Sequence, residues 1–402
     1  MERVRPAEER PAAEPPIGEL ITSEPLIRVG VDVGVPSAVI MSTAGLRVRD
    51  GSTGNLLVSG GEEILRFEAA GPGVRLAEPV GRLDPAPARV IVEPLDPSAE
   101  ILIGADRYRG VAEVVGDPSR GLIVINRLGL ESYLSGVVPA EIGPRRPDEM
   151  AAVRAQAVAA RTYTIASLGR RDSLSFDVFA TVEDQVYGGI GAERAEVERA
   201  IRDTRGEILT FAGRPVLALY HSTCGGRTAT REEVWGEPDL PYLRSVRDAD
   251  RDRDFCSISP RHRWEVRWTA DEINGPVRGE LAARLGMSTS ALGRIRAIRV
   301  LSRTVNDRVD ELEVEAGEGR YTIRKNDIRF VLRSPDGRIL GSTDFRVRQG
   351  RVGDRDVVIE GRGYGHGIGM CQWGAIGRAR AGQEYRAILA AYYQNAALQR
   401  LY

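Results

Sequence analysis

The sequence predicts an α+β protein of about two to three domains, and three observations support this prediction. The chain has 402 residues, which is long enough for substantial hydrophobic cores. Its hydrophobic content of 42% and charged content of 28% are those of an ordinary soluble globular protein. Strand-like apolar runs fill residues 25–116, whereas the clearest helical patterns come later, and this separation is typical of the α+β class.

Charge and composition exclude several classes of protein. The formal net charge of -1 argues against a dedicated nucleic-acid binder. The 56 basic residues include a single lysine, Lys325, so one candidate exists for a Schiff-base lysine, and no G-K-[ST] sequence for a phosphate loop is present. No run of 18 apolar residues occurs, so we expect no membrane-spanning helix.

The N-terminal part of the sequence predicts a leader followed by a β-rich unit. Residues 1–24 are charged and proline-rich and lack the apolar core of a signal peptide, so we expect a disordered leader. Residues 25–106 predict a small β-rich unit, because "LIRVGVDVG", "NLLVSGG" and "RVIVEPL" are short apolar runs separated by Gly, Pro and Asp.

The next segment predicts a strand and the clearest helix of the chain. "GLIVINRLGLESYLSGVV" is typical of a strand that continues into a short helical turn leading to Glu141. "RRPDEMAAVRAQAVAARTYTIASLGRR" predicts a long alanine-rich helix, and Pro147 suits its first turn. Arg154 and Arg161 lie seven residues apart and share one face of that helix. They either point at a ligand or extend from a buried helix to water.

The remaining residues predict further elements and an insertion. "ERAEVERAIRDT" is typical of an amphipathic helix and "EILTFAGRPVLALYHS" of a hairpin. Residues 265–350 predict an inserted α+β subdomain, with a helix near "ADEINGPVRGELAARLG" and strands at "RIRAIRVLSR", "VDELEVEAG" and "RYTIRKNDIRFVL". The strand "DVVIEG", a glycine stretch and the helix "EYRAILAAYYQNA" form the last section.

Glu141 is a carboxylate inside an apolar run, "LSGVVPAEIG". Its neighbours in sequence include Val137, Val138, Pro139 and Ile142. Removal from water disfavours the charged form of a carboxyl group, so an apolar setting makes the group a proton donor near neutral pH. The sequence therefore predicts that Glu141 acts as an acid.

Glycine occupies every second position in "GRGYGHGIGM", residues 361–370. Period two is the strand period, so one face of an extended strand would be bare backbone and the other would present Arg362, Tyr364, His366 and Ile368. Glycine inside a strand usually marks the close approach of a backbone or a ligand. The alternative is a packed strand with a structural histidine, and the density of glycine favours a binding site.

Two short segments contain two of the three cysteines and two of the three histidines. "HSTCGG" contains His221 and Cys224, and "CSISPRH" contains Cys256 and His262. Two Cys and two His can form a tetrahedral zinc site, although the order H-x2-C…C-x5-H differs from that of a zinc finger. A Cys224–Cys256 disulfide in an oxidising compartment and four unrelated residues are the alternatives. Ser222 as a hydrolase nucleophile lacks the G-x-S-x-G sequence.

Taken together, these stretches resemble the SpoIID/LytB family of bacterial cell-wall proteins. The matching pieces occur in family order from about residue 107 to 402, and they are "LESYLSGVVPAEI", "AVRAQAVAARTY", "DQVYGG", "YHSTCGGRT", "PYLRSV", "GRGYGHGIGMCQWGA" and "ILAAYYQNAAL". The resemblance implies a SpoIID-like catalytic core with a substrate cleft over residues 107–402, with residues 265–350 inserted in it.

The resemblance also implies a function and a set of site residues. The implied activity is that of a peptidoglycan lytic transglycosylase, which cleaves the glycan between N-acetylmuramic acid and N-acetylglucosamine and leaves a 1,6-anhydro end. Glu141 would be the single acid and base. The implied structural zinc would be bound by the four Cys and His residues named above. The implied glycan-binding residues are Arg161, Gln185, Tyr187, Tyr364, His366, Gln372 and Trp373.

Two other functions remain open. Some members of the family are described as enhancers of cell-wall amidases, so the alternative is a non-catalytic, glycan-binding partner of an amidase. A metallopeptidase is the third possibility, but the sequence has no H-E-x-x-H. The resemblance implies a location outside the cytoplasmic membrane, in the periplasm or cell wall, although no export signal is visible in the sequence.

Overall fold

The structure is a computed structural model that describes residues 23–77, 86–353 and 356–402. These residues form two compact units. The first unit contains the described residues up to 146, residues 156–217 and residues 397–402, and the second contains residues 147–155 and 218–396. Apart from Ser23 and Glu24, the predicted leader lies outside the described residues. No helix among the described residues is both long enough and apolar enough to cross a membrane.

The first unit is built on one large sheet, which has ten strands within the described residues. Eight of them follow one another in the order β10-β1-β9-β8-β5-β2-β3-β4, and β6 pairs with β2 and β7. The strands are β1 (Leu26–Val35), β2 (Ser37–Asp50), β3 (Leu56–Ala70), β4 (Gly73–Leu76), β5 (Arg89–Pro94), β6 (Ile101–Ile103), β7 (Asp106–Tyr108), β8 (Val111–Asp117), β9 (Gly121–Gly129) and β10 (Val178–Phe179).

The sheet continues across the boundary expected near residue 106. Strand β8 pairs with β5 on one side and with β9 on the other, and β9 pairs with β1. Residues 122–126 of β9 are all buried, because both faces of this central strand are covered. The β-rich N-terminal segment and the start of the resembling region therefore share one sheet.

Helices and a small three-stranded sheet complete the first unit. Helix α1 contains Glu141 and is much longer than the short turn expected there, whereas α2 matches the predicted long helix. The elements are α1 (Leu130–Ile142), α2 (Met150–Ser167, of which residues 156–167 belong to this unit), α3 (Gly189–Ala192), α4 (Ala195–Asp203), β11 (Glu207–Phe211) and β12 (Arg214–Pro215). β11 and β12 form the predicted hairpin.

The second unit contains small sheets and short helices. Its described strands are β13 (Tyr220–His221), β14 (Ala249–Asp250), β15 (Arg253–Asp254), β16 (Arg263–Trp268), β17 (Ile295–Arg303), β18 (Val309–Ala316), β19 (Gly319–Arg324), β20 (Phe345–Gln349), β21 (Val357–Arg362) and β22 (Met370–Cys371). Its described helices are α5 (Arg231–Trp235), α6 (Ala270–Glu272), α7 (Arg278–Leu285), α8 (Thr289–Leu292), α9 (Asp327–Val331), α10 (Gln372–Arg380) and α11 (Tyr385–Tyr392). The last strand of the chain, β23 (Ala397–Arg400), belongs to the first unit, where it pairs with β11.

The segment predicted as an insertion has its own hydrophobic core, which runs from Trp268 to Ile359. Strands β17, β18 and β19 form one sheet of this segment. Strands β16 and β20 pair with β21, which lies beyond the predicted end at residue 350. One predicted strand is wrong in its second half. β19 ends at Arg324, Lys325 has a φ of 52°, and α9 follows, because this left-handed residue turns the chain out of the strand direction.

Candidate functional site

Glu141 lies in the last turn of α1, at the edge of the apolar core. Val137, Val138 and Ile142 are buried, whereas Glu141 is half-buried and Ala140 is exposed. The helix therefore turns its valines inward and leaves the carboxyl at the boundary with solvent. This position combines an apolar surround with access from outside, which a proton-transferring group requires.

The backbone of one loop fixes the orientation of this carboxyl group. The N–H of Val186 donates a hydrogen bond of 2.8 Å to Oε1 of Glu141. Val186 is the central residue of "DQVYGG", which alone suggests only a turn. The other side chains of this motif are anchored to the protein, and they hold the Val186 N–H in place.

Asp184 anchors the start of that loop. Its Oδ1 accepts a 2.6 Å hydrogen bond from the hydroxyl of Tyr163, and its Oδ2 accepts a 2.8 Å bond from the N–H of Phe179. Arg171 adds an ion pair of 3.0 Å, with both side chains buried. These three partners fix the loop on the helix and the sheet edge beneath it.

Gln185 and Tyr187 anchor the rest of the loop. Gln185 is fully buried and accepts a 2.7 Å hydrogen bond from Thr164 Oγ1, while the hydroxyl of Tyr187 donates a 2.9 Å bond to Asn126 Oδ1. A Cβ at Gly136 would lie 2.5 Å from the Tyr187 ring, so glycine in α1 makes room for it. Both side chains are therefore anchored inside the first unit, and their expected contact with glycan stays a prediction.

Arg161 is also a structural residue. It is fully buried, and its Nε and Nη2 donate to the two oxygens of Glu131 at 2.9 and 2.8 Å. Burial alone would raise the pKa of Glu131, but hydrogen bonds from Arg161, Tyr402 and the Gly206 N–H outweigh it, and the pKa of Glu131 is lowered. The guanidinium of Arg161 is thus paired inside the first unit, and its expected contact with glycan stays a prediction.

The alternating glycines of the second unit do not form a strand. β21 ends at Arg362, and the glycines at 363, 365, 367 and 369 have φ values of 78°, 112°, 91° and 72°. A Cβ at Gly363 would lie 2.7 Å from the carbonyl oxygen of Thr223, and one at Gly369 would lie 2.0 Å from that of Leu219. The glycines are required because this segment, residues 363–369, packs as an irregular loop directly on the backbone near residues 219–224.

His366 is held by the backbone through both ring nitrogens. Its Nε2 lies 3.0 Å from the carbonyl oxygen of Tyr220 and therefore carries the proton, while its Nδ1 accepts a 3.0 Å hydrogen bond from the N–H of Ile368. Desolvation of the ring, followed by the positive charge of Arg329, lowers the pKa of His366 to about 4. Both ring nitrogens thus have backbone partners, and the expected role of His366 in glycan binding stays a prediction.

The other residues expected to bind glycan lie in the same unit. Tyr364 is half-buried, and the guanidinium of Arg261 lies 4.0 Å from the centre of its ring. Gln372 is buried and Trp373 is half-buried, both in the first turn of α10, and the N–H of Trp373 donates to the carbonyl of Ser222 at 3.0 Å. Tyr364 and Trp373 are thus the aromatic rings of this set with surface available for a sugar.

A buried cluster of three cysteines and one aspartate lies in the second unit. The possible ligand atoms of Cys224, Asp248, Cys256 and Cys371 all lie within 4.8 Å of one another. Cys224 Sγ is 3.6 Å from Cys256 Sγ, which is too far for the disulfide considered as an alternative. Soft sulfur ligands with one carboxylate suit zinc, so these four residues could hold a metal ion.

The surroundings of the three sulfurs in the cluster act differently on their protonation. Cys371 is the N-terminal cap of α10, and its Sγ accepts hydrogen bonds from the N–H groups of Cys224 at 3.1 Å and Gly374 at 3.2 Å. The hydrogen bond from Cys224 lowers the pKa of Cys256, whereas burial raises the pKa of Cys224 and Cys371. Deprotonation of all four groups therefore requires a compensating cation.

The two histidines of the expected zinc site are placed differently. His262 lies beside the cluster, where its side chain hydrogen-bonds Cys256, and its Nε2 is 3.0 Å from Asp254 Oδ2. The Nδ1 of His221 donates to the carbonyl of Ile368 at 3.1 Å, and its buried Nε2 has no hydrogen-bond partner within the described residues. The structure thus groups Cys224 and Cys256 with Cys371 and Asp248. Spacing along the sequence does not reveal this set, because its members come from four separate segments.

Two family models match parts of this chain. A SpoIID family model, described as "Stage II sporulation protein", matches residues 119–211, which include Glu141 and the "DQVYGG" loop. A second model, "Domain of unknown function (DUF8618)", matches residues 256–369. Strands β1 to β8 lie before residue 119 and are outside both matches.

Three relatives cover about two thirds of this chain. An uncharacterized protein of Brachyspira hyodysenteriae is 32% identical over 280 residues, which are 68% of this chain and 67% of that protein. The amidase enhancer of Bacillus subtilis is 30% identical over 66% of this chain but only 40% of its own length. The Bacillus subtilis stage II sporulation protein D is 28% identical over 67% of this chain and 74% of its own length. On these matches, the chain belongs to the SpoIID family.

Proposed function

We propose that this protein is a peptidoglycan lytic transglycosylase in which Glu141 is the single acid and base. The observation that carries the proposal is the carboxyl of Glu141 at the end of α1, held at its Oε1 by the Val186 N–H. The names of the relatives, stage II sporulation protein D and amidase enhancer, support a role at the cell wall and a location outside the cytoplasmic membrane.

In the proposed reaction, one proton leaves Glu141 and one returns. The protonated carboxyl donates its proton to the oxygen that joins the muramic C1 atom to N-acetylglucosamine, and this C1–O bond breaks. The C6 hydroxyl of the same muramic residue then bonds to C1 and gives its proton to the Glu141 carboxylate. The acid is regenerated, and the product is a 1,6-anhydro end.

Two local features act on Glu141 in opposite directions. The C-terminal end of a helix disfavours a negative charge nearby, and Glu141 lies in the last turn of α1. A backbone N–H donated to a carboxylate favours the negative charge. A group that must both give up and regain a proton benefits from such a balance.

An internal nucleophile removes the need for a second catalytic carboxylate. Asp184 is the acid closest in sequence to Val186, and its carboxylate accepts hydrogen bonds from Tyr163 and Phe179 and pairs with Arg171. Those partners commit Asp184 to structure, which is consistent with Glu141 acting alone.

We propose that the cysteine cluster holds one structural zinc ion. Cys224, Cys256, Cys371 and Asp248 fit a zinc ion because they are buried, grouped and include a sulfur that accepts two backbone N–H bonds. Zinc there would join chain segments that are far apart in sequence. The cluster lies in the second unit and no step of the reaction involves it.

The function is tested by digesting purified peptidoglycan with the whole protein. The expected products are muropeptides with 1,6-anhydro ends, which mass spectrometry identifies by the loss of one water relative to ordinary reducing ends. Reducing ends instead would identify a hydrolase, and no cleavage at all would remove the transglycosylase assignment.

The second candidate is a non-catalytic partner that enhances a cell-wall amidase. Similarity to the Bacillus subtilis amidase enhancer favours it, although the match covers only 40% of that protein. This candidate predicts that peptidoglycan remains uncut by the protein alone, while its addition accelerates peptide release by a separate amidase. Glu141→Gln would leave that acceleration unchanged.

A further inference from the structure

The second unit contains two arginines that are buried without an ion pair. Arg308 is 2% exposed and Arg329 is 5% exposed. Neither guanidinium has a carboxylate within ion-pair distance in the described part of the chain. A buried charge without a counter-charge is costly, so its presence calls for a physical explanation.

Carbonyl and amide oxygens satisfy only part of these guanidinium groups. Arg308 Nη2 donates to the carbonyl of Arg227 at 3.2 Å, and Arg329 Nε donates to that of Leu340 at 2.9 Å. Arg329 Nη1 donates to Asn326 Oδ1 at 3.2 Å, and its Nη2 makes no hydrogen bond with a described residue. Neutral acceptors orient the two side chains but do not cancel their charge.

Arg329 is the less compensated of the pair. Glu233 and Asp344 act electrostatically on Arg308 from beyond ion-pair distance. Burial lowers the pKa of the Arg329 guanidinium to about 10. Tyr364 opposes this effect, and the like charge of Arg308 adds a smaller lowering. The net positive charge of this cluster therefore centres on Arg329.

The two guanidinium groups lie next to the glycine loop of residues 363–369. A Cβ at Gly367 would be 2.8 Å from Arg308 Nη2, so the loop backbone covers that guanidinium directly. The N–H of Gly365 donates to the carbonyl of Gly341 at 2.9 Å, next to Leu340, whose carbonyl accepts from Arg329. The loop backbone therefore packs directly against Arg308, and a backbone hydrogen bond joins the loop to the segment whose carbonyl accepts from Arg329.

The side chains at the surface of this loop are aromatic and partly exposed. Tyr364 and His366 are half-buried, and the ring centre of half-buried Trp235 is 5.7 Å from that of His366. His366 is neutral, so it adds no counter-charge. Aromatic rings beside uncompensated guanidinium groups suit a ligand that has both an apolar sugar face and an anionic group.

We propose that Arg329, assisted by Arg308, attracts and binds a carboxylate of the glycan substrate at the glycine loop. The inference rests on the proposed function for the identity of the ligand. Arg308 is partly offset by Glu233 and Asp344, so the cluster matches one negative charge better than a doubly charged phosphate. Where no peptide is attached, the muramic lactyl group of peptidoglycan has a free carboxylate. Where a peptide is attached, the carboxylates are those of the peptide.

The test measures the binding of three sugars to the whole protein by calorimetric titration. N-acetylmuramic acid has the lactyl carboxylate, its lactyl amide is a neutral matched ligand, and N-acetylmuramoyl-L-alanyl-D-isoglutamine has its carboxylate on the peptide. The wild-type protein should bind at least one carboxylate ligand about 10- to 100-fold more tightly than the amide, as expected for a charge-assisted bond. Whichever carboxylate ligand binds more tightly identifies the source.

Variants assign the preference to the buried charge. Arg329→Gln should abolish the preference for the carboxylate, and Arg320→Gln, which removes an exposed charge on β19, should keep it. Should Arg329→Gln fail to fold, Arg329→Lys keeps the charge without the planar fork and should retain only part of the preference.

Several outcomes would overturn the inference. Equal binding of the acid and the amide by the wild-type protein would remove the carboxylate site and leave glycan binding intact. An undiminished preference in folded Arg329→Gln would assign the site elsewhere, and tighter binding of inorganic phosphate than of either acid would show the wrong class of anion. Failure to bind any of the three sugars would count against the proposed function as well.

Discussion

The N–H of Val186 and the Oε1 of Glu141 are joined by a hydrogen bond of 2.8 Å. The two residues are 45 positions apart in the sequence, and the donor is a backbone N–H. A pattern of side chains in the sequence therefore does not predict this bond. The bond connects the "DQVYGG" loop to the carboxyl at the end of α1. The loop is therefore a support for Glu141.

Removing that N–H should slow cleavage. Val186→Pro deletes the donor, and we expect turnover to fall by about 10- to 100-fold, the usual effect of a hydrogen bond to a charged group. Val182→Pro, at an 86% exposed position of the same loop, is the control and should remain active. Rates of anhydro-product release are compared with melting temperatures. Full activity of folded Val186→Pro would show that the bond does not orient Glu141.

Arg161 should prove important for stability. Arg161→Met leaves Glu131 buried and unpaired, and we expect the free energy of unfolding to fall by about 3–5 kcal/mol. Removing both charges with Arg161→Met and Glu131→Leu should cost less than the sum of the single variants. Urea titrations measure these energies. Unchanged stability together with weaker glycan binding would restore the role expected from the sequence.

The same pair predicts a dependence of stability on pH. The folded-state pKa of Glu131 is lowered below its ordinary value of 4.5, so the pair stabilises the protein above that pH. This contribution is lost as pH falls below 4.5 through the lowered pKa. Wild-type protein should therefore lose more stability than the Arg161→Met, Glu131→Leu double variant between pH 5 and lower pH. Parallel losses in denaturant titrations would show that the pKa of Glu131 is not shifted.

Metal analysis should distinguish the two possible ligand sets. We expect about one zinc atom per chain, lost together with thermal stability in Cys371→Ser, because Cys371 Sγ is part of the buried cluster. His221→Gln should keep the metal, because the Nδ1 of His221 bonds to the backbone carbonyl of Ile368. Elemental analysis of both variants decides. Zinc retained in Cys371→Ser and lost in His221→Gln would favour the set expected from sequence.

His366→Ala should lower stability more than it lowers the turnover of folded protein. Both ring nitrogens bond backbone groups, and leaving such groups unpaired costs about 1–3 kcal/mol. Melting temperature and turnover are measured on the same preparation. A melting temperature equal to that of the wild type, with activity lost, would return His366 to a direct role in the reaction.

Local patterns in the sequence predicted the long elements well. Helix α2 follows from its run of alanines, and Pro147 begins the 3-10 turn, Pro147–Glu149, that precedes it. The α+β class follows from strands grouped before helices. The structure of the glycine stretch was harder to predict from the sequence. Alternating residues of a strand and alternating left-handed residues of a loop have the same period of two. Only the backbone geometry shows that the positive φ of Gly363 and its neighbours makes the second interpretation correct.

Buried polar side chains were the least predictable part of the site. Gln185 and Arg161 look like ligand-binding residues in sequence, since polar residues are usually exposed. Their partners, Thr164 and Glu131, lie 21 and 30 residues away, so burial could not be inferred from spacing. Asp248 was missed for the same reason, since it reaches the cysteines only through the fold.

The most direct measurement is the release of 1,6-anhydro-muropeptides by Glu141→Gln, compared with the wild type and with Glu183→Gln. The amide keeps the size of the side chain but cannot donate and regain a proton, so anhydro-product release should fall by at least about 10²–10⁴-fold. Glu183 is an exposed residue close to the same loop, and its variant should cleave at the wild-type rate. Wild-type release of anhydro ends by a folded Glu141→Gln protein would contradict the assignment of Glu141 as the acid and base.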